Sequence, residues 1–156
     1  MAIERNVENK KKQTHLDLCI LEACEKGDKE AVRKLLNQGA SCRAQRNGCR
    51  AIHVALRHGH PGCAKILISH GAIINEANRY GDTALIIASA RGDVTGVKIL
   101  MEAGADPSIH NKTSRRMLSP NIFIQEGRTA ADCSKMNWSR KTADIMSILQ
   151  KTFDAA

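Results

Sequence analysis

Cys49 and His53 stand four residues apart, and His58, His60 and Cys63 follow close behind. A thiol and an imidazole at that spacing can form a nucleophilic dyad or contribute metal ligands. A zinc site built from such residues needs a CxxC or HxxxH pair matched by a second pair, and the chain has none. A dyad needs an acid to orient the histidine and donors for an oxyanion, and neither is supplied. Nucleophile elbow, phosphate-cradling glycine loop and paired-carboxylate constellation are all absent from the sequence. The reading is therefore of a non-enzyme, with no catalytic residue, no metal ligand and no cofactor.

Charge is the other chemical resource. Lys and Arg total 24 against 16 Asp and Glu, a formal net charge of +8 with a pI near 9.4. That balance suits an acidic protein surface, nucleic acid or anionic lipid, and does not choose among them. No apolar stretch approaches the ~20 residues that span a bilayer. Residues 1–15, MAIERNVENKKKQTH, lack the apolar stretch of a secretory signal and read as a flexible, polar, basic tail. Six cysteines without such a signal read as reduced thiols, so the expected location is cytoplasmic and/or nuclear.

The elements that must carry these residues show in composition and period. Only Tyr80, Phe123, Trp138 and Phe153 are aromatic, so the core must be aliphatic, which argues against a sandwich or small barrel. Gly39-Ala40, Gly71-Ala72 and Gly104-Ala105 recur at spacings of 32 and 33 residues. Gly27, Gly59 and Gly92 keep the same spacings, as do Ala23, Ala55 and Ala88; Gly48 and Gly81 lie 33 apart. Each unit offers a short inner helix, such as 51–57, and a longer outer one, such as 62–70. Ile52, Ala55, Ile66 and Leu67 mark the apolar face. Pro61 fits the first position of a helix, and the glycines after the outer helices fit its stop signal. Cys63 falls in register with Ala31 and Gly96, and Cys42 with Ile74 and Pro107, so both read as packing residues.

The stretches NGCRAIHVALRHGHPGCAKILISHGA from Asn47 and GDTALIIASARGDVTGVKILMEAGA from Gly81 resemble ankyrin repeats. Unit one keeps only the later part of the pattern, and GRTAADCSK from Gly127 resembles a terminal capping repeat. Unit two has Arg50 where the family has Thr, while unit three has Ile86 where it has His. The resemblance implies an all-α ankyrin-repeat solenoid, helix-turn-helix units joined by β-hairpin or turn fingers, over residues 16–153. Its units would be about 16–44, 45–77, 78–110 and 111–153, the last with an expanded finger at 111–126.

Ankyrin arrays bind through their hairpin tips and the concave face of their inner helices. In this register those positions are Arg46, Asn47, Arg57, His58, Arg79, Tyr80, Arg91, Met136 and Asn137, with Glu25 and Lys26 from unit one. Cys49 shares a tip and is expected to be the most exposed thiol. The implied function is a non-catalytic interaction module, an inhibitor or adaptor whose basic concave groove binds a protein partner's acidic segment. The alternative is a weak nucleic-acid-binding or charge-driven regulatory subunit. A monomer is expected, without specific nucleic acid or membrane contact. Asn75 stands in a context resembling asparaginyl hydroxylation sites, against the plainer reading that it bonds its own loop. Ser119, before Pro120, is a candidate phosphorylation site in the finger.

Overall fold

A computed structural model describes residues 2–112, 116–119, 122–124, 127–136 and 141–153. Among the described residues, eight helices stand in pairs: α1 (Ala2–Lys26) with α2 (Lys29–Asn37), α3 (Ala51–Arg57) with α4 (Pro61–Ser69), α5 (Ala84–Arg91) with α6 (Val94–Glu102), and α7 (Ala130–Met136) with α8 (Lys141–Phe153). The inner helices α1, α3, α5 and α7 stack in chain order, and the outer helices α2, α4, α6 and α8 form a second row behind them. Two antiparallel hairpins, β1 (Gln45–Arg46) with β2 (Cys49–Arg50) and β3 (Arg116–Ser119) with β4 (Ile122–Ile124), join the pairs at the α2–α3 and α6–α7 connections.

The repeated glycines and alanines have a mechanical reason. The outer helices α2, α4 and α6 each end with a left-handed glycine, at φ of 93°, 85° and 87° for Gly39, Gly71 and Gly104. The following alanine amides then donate back to the carbonyls of Leu35, Leu67 and Leu100 at 2.9–3.0 Å. This closure satisfies carbonyls that a helix end otherwise leaves orphaned. The core is aliphatic, led by Ile20, Leu21, Ile52, Leu56, Leu67, Leu85, Ile86, Ile87, Leu100, Ile145 and Leu149. Helix α5 is buried from Ala84 to Ala90 because it has a helix pair on either side.

The amino-terminal residues expected as a flexible tail are instead continuous with α1. Their polar residues are good helix formers, with Glu8 four residues before Lys12. Gln13 Nε2 donates both to Asp17 at 2.9 Å and to the carbonyl of Gly39 at 3.1 Å, anchoring the helix below the expected boundary at 15/16.

Candidate functional site

The hairpin tips are built by a turn that the sequence dictates. Asn47 and Gly48 both take positive φ, 54° and 72°, the pair of left-handed residues that a two-residue hairpin turn requires. The Arg79 amide donates to the Gly48 carbonyl at 3.0 Å, so this tip leans on the next. Above the tips run the ends of the inner helices, and these are tied together as well. His60 Nε2 bonds the Glu25 carbonyl at 3.1 Å, and Arg91 Nη1 donates to the Arg57 carbonyl at 2.6 Å. Both acceptors lie in the last turn of a helix, where carbonyls lack partners and cations are favoured.

Four of the expected basic residues thus share one neighbourhood. Burial first, then the positive charges of Arg57, His60, Arg91 and Arg46, hold His58 below the usual histidine range. Arg46 is ion-paired with Glu25. Arg57 Nη2 donates to Cys49 Sγ at 3.4 Å. The Arg79 guanidinium lies 4.5 Å from the Tyr80 ring centroid and reaches its hydroxyl. Asn47, His58 and Arg79 are exposed, while Arg46, Arg57, Tyr80 and Arg91 are half-buried.

Several expectations change on contact with the structure. Cys49 is buried, 5% exposed, because the Arg57 side chain lies across it. Asn75 is exposed but bonds the neighbouring unit's loop, accepting from the Asp106 amide at 2.8 Å and donating to the Gly104 carbonyl at 3.4 Å. Arg91 is partly structural, since it holds the end of α3. The side chains of Met136 and Ser119, and all of Asn137, lie outside the described residues. Among the described residues, no group of three His, Cys, Asp or Glu side chains could hold a metal ion, and no helix is long and apolar enough to cross a membrane.

One polar knot joins two residues the sequence singled out, His53 and Arg50, to Glu76, which it did not. His53, fully buried, accepts the Arg50 amide on Nδ1 at 3.2 Å, and its Nε2 bonds the Glu76 carbonyl at 2.9 Å. Arg50 also ion-pairs with Glu76. The arginine that departs from the repeat pattern therefore ties one unit to the next. Burial pushes His53 down to about 4, so it stays neutral in the fold.

Comparison with known proteins agrees with the geometry. A family model described as ankyrin repeats, in three copies, matches residues 20–111. The B-cell lymphoma 3 protein homolog of Mus musculus is 36% identical over 131 residues, covering 81% of this chain and 28% of that protein. The ankyrin repeat and SOCS box protein 2 of Homo sapiens is 29% identical over 96 residues, 60% of this chain and 15% of the relative. Protein HOS4 of Saccharomyces cerevisiae is 41% identical over 70 residues, 44% of this chain and 6% of the relative. The chain thus spans well under two thirds of each relative's length.

Proposed function

This chain belongs to the ankyrin repeat family, a protein-protein interaction module, and from that premise we propose that its basic tips bind an acidic segment of a partner protein. The observation carrying this reading is the convergence of Arg46, Arg57 and Arg91 around His58 on the face formed by tips and inner helices. Concentrated like charge on a rigid face costs self-repulsion and is compensated when an anionic partner arrives. The chain would act as an inhibitor or adaptor by rigid presentation of that face, as a monomer, in the cytoplasm and/or nucleus. Asn75, which is exposed, is proposed as a hydroxylation site, read as a +16 mass change after co-expression with an asparaginyl hydroxylase.

The test is capture from cell lysate by wild type beside Arg57→Glu/Arg79→Glu, at low salt and at about 0.3 M, where the screening length is short. Arg79 replaces Arg91 as the second reversal because Arg91 also holds the α3 terminus. A discrete protein retained by wild type and lost by the variant is the expected result. Capture of nucleic acid alone, stripped by the salt, would favour the charge-driven alternative.

A further inference from the structure

Adjacent tips of this array handle charge in opposite ways. At the first, Arg46 of the hairpin pairs with Glu25 from the end of α1. One repeat later, Arg79 occupies the place of Arg46 and Arg57 the place of Glu25, in the register set by Gly48/Gly81 and Ala23/Ala55. An ion pair has become two guanidinium groups. A second acid is missing at the same tip. In the following unit Asp82 accepts from Asn111 Nδ2 at 3.4 Å, and the residue equivalent to Asp82 one unit earlier is Cys49.

What remains at the Gly48–Cys49 tip is an excess of donors. Among the described residues Arg57 reaches only the weak acceptor Cys49 Sγ, and its Nε is buried without a hydrogen-bond partner. The Arg79 stem lies against Gly48, where an added Cβ would come within 2.6 Å of Arg79 Cβ. Asn78, the equivalent of Asn111, is 6% exposed and its Nδ2 has no partner. Neither arginine has a carboxylate partner among the described residues.

We infer that this tip is a seat for one carboxylate side chain of the acidic partner, held between Arg57 and Arg79 in the place that Glu25 takes beside Arg46. The inference rests on the proposed basic interaction face and names the chemistry of its central contact. A carboxylate is the fitting anion because each neighbouring tip carries one at a position that holds none here, Glu25 at the place of Arg57 before and Asp82 at the place of Cys49 after. A planar guanidinium offers paired donors that match a carboxylate's two oxygens, and Arg79, which also meets the Tyr80 ring and hydroxyl, has further N–H donors to give.

The internal register supplies its own controls. Arg57→Glu recreates the Glu25–Arg46 arrangement beside Arg79, and Cys49→Asp recreates Asp82; each closes the seat from within. Glu25→Gln does the opposite and releases Arg46. With a labelled oligo-glutamate peptide as probe, followed by fluorescence anisotropy at low salt, each closing variant weakens binding about tenfold. Glu25→Gln binds as tightly as wild type or about twofold tighter, as expected for a rim charge. Thermal melts report folding, and Arg79→Gln, an exposed change, carries the test should a closing variant fail to fold. Peptide that binds wild type and the folded seat variants alike would overturn the seat while leaving the basic face standing. Peptide that does not bind wild type would overturn both.

Discussion

His53 shows how much one residue can hold in a repeat array. It is neutral in the fold because burial outweighs its bond to the Glu76 carbonyl, and its proton uptake is displaced from 6.5 to about 4. Between those values the unfolded chain takes the proton and the folded chain does not. Stability present above pH 6.5 is therefore lost as pH falls, by about 2 kcal/mol at pH 5, and the loss is complete below the folded value. Urea midpoints at pH 7 and pH 5 measure this, and His53→Gln should remove that part of the slope; an unchanged slope would exclude His53 as its source. The thiols make a second prediction. Half-buried Cys19 and Cys42 react with a thiol reagent in the native protein, while buried Cys24, Cys49, Cys63 and Cys133 wait for unfolding. Burial also pushes Cys24 and Cys133 up to about 12. A native titration reaching all six cysteines at one rate would contradict the described packing. At this scale the sequence was only partly legible. The register placed Cys49 on a tip, but the cover supplied by Arg57, eight residues on, depends on a side-chain path that spacing does not encode. The Arg50–Glu76 contact was hidden for the same reason.

Helices and their stops were easier to read, because they answer to local rules. The expected inner helix at 51–57 matches α3, Pro61 takes the first position of α4, and Thr83 caps α5 by accepting the Ile86 amide at 3.3 Å. The α1 extension was missed because a Lys-rich polar segment fits a mobile tail as well as a solvated helix. The glycines separate two physical costs that the sequence alone merges. Gly39 has open space around it, so Gly39→Ala meets only the left-handed backbone and should cost about 1 kcal/mol. A Cβ at Gly27 would also come 2.4–2.7 Å from the His60 ring, which bonds the Glu25 carbonyl. Gly27→Ala should therefore cost roughly 3 kcal/mol, from backbone and overpacking together. Paired urea titrations would reveal the gap, and equal losses would mean that the His60 contact yields without cost.

At the scale of the whole molecule, the period of 32–33 residues sufficed for the solenoid, because every unit must bury its apolar face against a neighbour. The proposed binding face rests on the same register. Its charge pattern does not, since the pairing of Arg46 with Glu25 and the lack, among the described residues, of an acid for Arg79 emerge only when units are stacked. Net charge is a blunt guide for the same reason, as exposed lysines such as Lys29, Lys65 and Lys98 line the outer helices as well. The decisive measurement is a backbone amide chemical-shift titration of the chain with an oligo-glutamate peptide. Shifts gathered at Arg46–Cys49, Arg57–His58 and Arg79–Tyr80 are expected if the tips form the binding face. Shifts centred on the outer-helix lysines, with the tips unmoved, would contradict it.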